Sequence, residues 1–147
     1  MIKLTGKFCI AIIVSALFVG IRPATAGAPE LTLNMLRETK VWTAPKVVSM
    51  IEFVAVKYNC NKKQMICLAV EESSTGMDKR CGDNELSCGL FQYKDDTWKS
   101  FNKIWGEAWY SKYNYVDQAI VTCQALNNNE GHNWSPILDG RCPNNKS

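Results

Sequence analysis

Most of the chain alternates between apolar positions at helical spacing and short polar breaks. Val47, Val48, Ile51, Val54, Ala55 and Tyr58 recur every three to four positions, with Ser49, Glu52 and Lys57 among the polar ones. Side chains at that spacing share one side of a helix, so the run predicts an amphipathic helix with Pro45 in its first turn. A second helix is predicted from about Lys62 to Ser73, burying Met65, Ile66, Leu68, Ala69 and Val70. A third is capped by Asp95 or Asp96 and carries Trp98, Phe101 and Ile104. A fourth, from about Val116 to Leu126, places Ala119, Ile120, Cys123 and Leu126 on one face. Trp134 to Leu138, containing Pro136, makes a short last element. Alternating strand patterns are missing, so any sheet is a small hairpin near residues 80–93. The predicted class is mainly α, in a single small helical domain with a short loop and hairpin region.

The first 26 residues follow a different rule. Lys3 and Lys7 precede the apolar run Phe8 to Gly20, and Ala24-Thr25-Ala26 follows. A basic start, a short apolar run and an A-x-A site together predict a signal peptide, 1–26, cleaved after Ala26. The competing reading is an uncleaved membrane anchor. The run is well short of the roughly 20 residues a spanning helix needs, and Arg22 and Pro23 close it. The expected mature domain, 27–147, is then secreted or periplasmic, with no stable membrane anchor. Gly27 to Thr32 reads as a loose leader and Pro143 to Ser147 as a polar tail.

Cleavage changes the charge and the cysteine count. The chain carries 17 Lys and Arg against 14 Asp and Glu. Removing Lys3, Lys7 and Arg22 leaves 14 of each sign, so the formal +3 belongs to the leader. No basic footprint for nucleic acid remains. Cys9 leaves as well, and Cys60, Cys67, Cys81, Cys88, Cys123 and Cys142 remain. Six cysteines in an exported chain of this size predict three disulfides. No internal repeat appears, and a monomer is expected. There is no zinc, P-loop or dinucleotide spacing, so no metal and no other cofactor is expected.

Glu71 and Glu72 close the second predicted helix, after the apolar run Ile66-Cys67-Leu68-Ala69-Val70. A carboxyl backed by apolar residues keeps its proton to higher pH, which is what a general acid for a glycosidic bond requires. The two glutamates are about 100° apart around the helix, so only one should face a cleft. Taken alone, the pair would ordinarily be two solvated surface acids.

Its company gives it a more specific reading. Glu72-Ser73-Ser74, Gly82-Asp83, Gly89-Leu90-Phe91-Gln92 and Thr97-Trp98 together resemble the lysozyme superfamily, especially soluble lytic transglycosylase domains. The likeness covers roughly residues 47–138. It implies a lysozyme-like fold that cleaves the β-1,4 bond of peptidoglycan or a related amino-sugar polymer, with Glu72 as general acid and base. Lysozyme is itself the known case of a glutamate held protonated by an apolar pocket. Leu86-Ser87-Cys88-Gly89-Leu90-Phe91-Gln92-Tyr93-Lys94 is similar to the corresponding turn of invertebrate-type lysozymes, and Gly82-Asp83 to the acidic loop of goose-type ones. The end of the chain, through Val121-Thr122-Cys123, Gly131, Trp134 and Arg141-Cys142, looks like c-type lysozymes. That last likeness implies a Cys67–Cys142 bridge. Cys81–Cys88 would then staple the loop between Glu72 and Gln92, leaving Cys60–Cys123.

The chain also departs from these families. The Tyr-Asn motif of lytic transglycosylases is missing after Trp98, with Tyr113-Asn114-Tyr115 a loose candidate. Ser87 stands where the c-type branch carries its second carboxylate. Two chemical outcomes therefore stay open. Asp83 facing Glu72 gives hydrolysis, while Glu72 alone gives transglycosylation to a 1,6-anhydro sugar. Asp83 in Cys-Gly-Asp-Asn also suits a plain turn. Gln92 can donate to and accept from an N-acetyl group or a hydroxyl. It is the first candidate for substrate binding, with Tyr93 and Tyr113 as further cleft lining. The tryptophans fit the core better than sugar stacking, and His132 is expected at the surface. A lysozyme-like module that binds without cutting is the second functional class.

Overall fold

A computed structural model describes residues 31–144. The expected signal peptide, its cleavage site and most of the expected leader and tail lie outside the described residues. Among the described residues, seven helical segments and one two-stranded sheet follow in order. They are α1 (Leu33–Arg37), α2 (Ala44–Tyr58), α3 (Lys62–Ser73), the single turn α4 (Gly82–Glu85), β1 (Ser87–Cys88), β2 (Tyr93–Lys94), α5 (Asp95–Trp105), α6 (Tyr115–Asn127) and α7 (Ser135–Leu138). A 3-10 turn, Glu130–Asn133, links α6 to α7. The protein is mainly helical, as predicted, and these elements form one small domain.

α6 is the axis of the domain. Asn114 starts it, its side-chain oxygen accepting from the backbone of Val116 at 2.9 Å and Asp117 at 3.3 Å. α1, α2, α3 and α5 all pack against it. Burial therefore runs right around α6, from Val116 to Cys123, rather than along the one face its periodicity predicts. Its buried polar residues have partners. Asp117 accepts from Arg37 Nε at 2.7 Å and from the backbone of Ser111 at 3.0 Å, while Thr122 bonds the Tyr93 hydroxyl at 2.9 Å. On α2, Val47, Met50, Ile51, Val54 and Ala55 make the facing surface. Each fully buried aliphatic side chain of this kind contributes about 1.5–3 kcal/mol.

α3 spans Lys62–Ser73, with Asn61 accepting from Gln64 N at 3.1 Å as its cap. Met65, Leu68 and Ala69 are buried as predicted, but Ile66 is only half-buried and Val70 is 48% exposed. Gln64 and Ser73 complete the inward stripe instead, and Val70 lies about 100° from Ala69 on the open side. The predicted α5 stripe also shifts. Trp98 and Phe101 are buried, but Ile104 is 65% exposed. Trp105, four positions beyond Phe101, takes the inward place with ring centroids 4.8 Å apart. Neither Asp95 nor Asp96 caps α5; Lys94 stands at the cap, and both acids occupy the first turn, where the helix dipole favours them. Asp95 pairs with the buried Lys112. Thr32, expected in a loose leader, caps α1.

Three disulfides close the domain: Cys60–Cys123, Cys67–Cys142 and Cys81–Cys88, with Cα atoms 5.7, 5.7 and 4.4 Å apart. The first two tie α2–α3 to α6 and α3 to the C-terminal segment. The third staples the loop that leads from α3 into the hairpin.

Candidate active site

The end of α3 is where the cleft begins. Ser74 turns left-handed, with φ 49° and ψ 48°, and its N–H donates back to Val70 O at 2.9 Å while Thr75 N donates to Ala69 O at 2.7 Å. Ser73, the last helical residue, is buried, and its hydroxyl donates to Leu90 O at 2.8 Å and accepts from Gly76 N at 2.9 Å. One serine thus joins the helix end both to its own exit and to the β1–β2 turn. Gly76 has φ +75°, and a Cβ there would lie 2.6 Å from the Tyr115 ring, whose hydroxyl donates to Gly76 O at 3.0 Å. The chain leaving Glu72 is therefore held in one path.

The opposite wall is the turn Gly89–Gln92 and the stapled loop before it. Buried Gln118 on α6 accepts from Phe91 N at 2.9 Å and donates to the carbonyls of Cys88, at 3.2 Å, and Lys112. Gly89, at φ +87°, sits against that amide with no room for a side chain. Gln92 then hands the arrangement on. Its Oε1 accepts from Gly82 N at 2.9 Å, and its Nε2 donates to Gly89 O at 2.9 Å and Arg80 O at 3.4 Å. Sequence alone marks Gln92 for substrate binding; in the structure both ends of its amide brace the loop. Asp83 and Asn84 are left-handed, at φ 51° and 55°, conformations that Asp and Asn tolerate better than most residues.

Between these walls lies a cleft of about 620 Å³. Glu72, Gln92 and Asp83 all line it, together with Ser87, Lys94, Thr97, His132, Asn133 and Ser135. A smaller hollow of about 240 Å³ opens beside it, lined by Asp78, Arg80 and Cys81 and again by Glu72, Gly82 and Gln92. Glu72 thus contributes to the lining of both spaces. A further hollow of about 240 Å³, around Leu36, Trp42 and Pro45, has no carboxylate in its lining and no proton donor of this kind.

The two glutamates part company as the helix geometry requires. Glu71 is outside the cleft and pairs with Arg141. No hydrogen bond or ion pair among the described residues engages the Glu72 carboxylate. Burial pushes Glu72 up from its ordinary 4.5 to about 6; the positive Arg141 opposes this, while Asp83 and Glu71 add to it. Asp83 behaves oppositely. Hydrogen bonds from Lys94 and Ser87, together with the charge of Lys94, hold its carboxyl below the usual range. The bonds are 3.1 Å from Lys94 Nζ and 3.0 Å from Ser87 Oγ, both to Oδ2. One cleft therefore contains an acid that keeps its proton near pH 6 and a second that does not.

The two tyrosines expected as cleft lining lie in different surroundings. Tyr93 reaches the cleft, but its side chain is 2% exposed and its hydroxyl is committed to Thr122. Its ring meets Trp98, Phe101 and Trp134 edge-on at 5.3–6.1 Å, making a floor rather than a sugar contact. Trp134 is pinned by Nε1 donating to Phe91 O at 3.1 Å. Tyr113 is 73% exposed and is not part of the cleft lining. His132, expected at the surface, lines the cleft together with Asn133. No spacing signal could have found them, because a 3-10 turn after α6 sets their direction. Among the described residues no three His, Cys, Asp or Glu side chains gather closely enough to hold a metal ion, and no helix is long and apolar enough to cross a membrane. Set beside known proteins, the chain matches no family model, no curated protein and no solved structure.

Proposed function

We propose that this chain is an exported lysozyme-like domain that cuts the β-1,4 bond between N-acetylmuramic acid and N-acetylglucosamine in peptidoglycan, with Glu72 as the proton donor. The observation that carries the reading is the unpaired Glu72 carboxyl, pushed to about 6 and shared by the linings of two adjoining hollows. A polymer lying across the acid needs room on both sides of the bond to be cut. In its neutral form Glu72 protonates the leaving glycosidic oxygen as the C–O bond breaks. Its carboxylate is then the base within reach. Taking the proton from the sugar's own 6-hydroxyl lets that oxygen close on the anomeric carbon, giving a 1,6-anhydro product without consuming water. This is the lytic transglycosylase route that the Glu-Ser and Gly-Leu-Phe-Gln resemblance implies.

Asp83 supports a second reading, hydrolysis. It lines the same cleft as an ionised group, with Lys94 and Ser87 occupying one of its oxygens. The other is free to orient water or face the positive charge that develops on the sugar. Mass spectrometry of muropeptides released from purified peptidoglycan separates the routes. Anhydro-ended products, lost in Glu72→Gln and kept in Asp83→Asn, are the expected result. Reducing-end products lost in both variants would make Asp83 part of the chemistry. No release by the folded wild-type chain would sink the enzyme reading and favour a module that only binds.

A further inference from the structure

We propose that Arg141 is a positioning residue for the Glu72 acid: fastened beside α3 by the Cys67–Cys142 bridge, its guanidinium pairs with Glu71 outside the cleft and offsets the negative charge around Glu72. The inference rests on the proposed role of Glu72. Its basis is geometric. Cys67 lies five residues before Glu72 on the same helix, and Cys142 is the residue after Arg141. Cys142 is buried, its N–H donates to Pro136 O at 2.8 Å, and the Arg141 carbonyl oxygen lies 3.5 Å from Cys67 Sγ. Arg141 is thus tied through the backbone on both sides, to α7 and to α3. From there Nη1 pairs with Glu71 and Nη2 reaches Asp139 at 3.4 Å.

The charges around Glu72 show why this cation differs from the others. Its own helix contributes Glu71. The segment after α3 contributes Asp78 and Arg80, which pair with each other at 2.6 Å. Asp83 on α4 pairs with Lys94 on β2, and His132 on the 3-10 turn lies 3.4 Å from Glu130. Arg80 and Lys94 each have a carboxylate partner of their own, Asp78 and Asp83. Arg141 alone is paired to the residue adjacent to Glu72, and its charge is the largest electrostatic influence on that carboxyl after burial. An acid that must give up a proton and take one back needs that counterweight. Burial alone would hold it in the neutral form and remove the base.

Carbon-13 NMR of the glutamate side-chain carboxyls, on the oxidised chain, tests this without substrate. Glu72 is assigned by the signal lost in Glu72→Gln. Arg141→Gln should raise the Glu72 midpoint by roughly half a pH unit, given a screened opposite charge nearby. Arg141→Lys should restore most of the difference, and Glu71→Gln should lower the midpoint. The alkaline limb of the cleavage profile should move with the Arg141→Gln midpoint. An unmoved midpoint in Arg141→Gln, or an equal shift in Arg141→Lys, would overturn the inference while leaving Glu72 as the acid. Absence of cleavage by the wild-type chain would overturn the proposed function, and the titration would still read Arg141.

Discussion

The helical scaffold and the cleft wall are built by different physics. Around α6, Val47, Ile51, Val54, Leu68, Ala119 and Val121 meet through apolar surface, and each position tolerates chemistry of similar size and shape. From Ser74 to Gln92 the apolar anchors are Leu90 and Phe91, both fully buried, and the rest of the segment is held by other means. Ser73, Gln118 and Gln92 fasten successive backbone segments by hydrogen bonds, the Cys81–Cys88 bridge closes the loop, and six non-glycine residues have positive φ. A packed core fixes direction broadly and strongly. A polar lattice fixes a few atoms closely, and losing one partner strands the others. The protein places its unpaired carboxyl at the seam between the two.

The largest effect is expected in the scaffold. Ile51→Ala, at a fully buried site on α2, should cost about 2–5 kcal/mol in urea unfolding. Turnover well below the melting temperature should stay near wild type, and a large fall would mean the core sets cleft geometry directly. The cleft bridge gives the reverse split. Replacing Cys81 and Cys88 by alanine opens a loop of seven positions, for which chain entropy predicts a loss of about 2.5 kcal/mol. Turnover should fall at temperatures where the helical circular dichroism is still complete. Retained activity would show that hydrogen bonds alone hold the wall.

A smaller effect sharpens the seam itself. Glu72 binds its proton more tightly in the folded chain, at about 6 against 4.5, than in the unfolded one. Its contribution to stability is complete below 4.5 and is lost as pH rises through about 6. The full difference corresponds to about 2 kcal/mol, and exposure of the carboxyl reduces this to about 1 kcal/mol. Glu72→Gln should therefore be more stable than wild type at neutral pH by about 1 kcal/mol, with a flatter dependence between pH 4.5 and 6 by calorimetry. An unchanged pH dependence would place Glu72 in ordinary solvent. The smallest effect is expected at Tyr113. Tyr113→Ala should change stability by less than about 0.5 kcal/mol and leave cleavage unaltered, since its ring lies outside the cleft.

Periodicity and punctuation made much of the scaffold legible. α3 ends where the apolar run meets Ser73-Ser74, α2 begins with Pro45 in its first turn, and α6 lies within two residues of its expected limits. What periodicity misjudged was how many neighbours each helix has. Ile104 and Val70 carry apolar side chains at nearly correct spacing, but Trp105 and Gln64 occupy the inward places. α6 has partners on every side, so its polar Asp117, Gln118 and Thr122 are buried with the rest. The site was half legible. Glu72 and Asp83 line the cleft, whereas Gln92 spends its amide on the loop, Tyr93 belongs to the floor, and Tyr113 lies elsewhere.

The helical class, the helix carrying the candidate acid, and six cysteines available for three bridges were legible in the chain alone. These follow from local rules: the 3.6-residue period, the residues that start and stop helices, and the number of thiols. Long-range packing settled which glutamate faces inward, that Arg141 approaches Glu71 from 70 residues away, and that His132 and Asn133 line the same cleft as Lys94. Those depend on how segments distant in sequence pack together. The free energy of a carboxyl is set by everything within a few ångströms of it, whatever its distance along the chain.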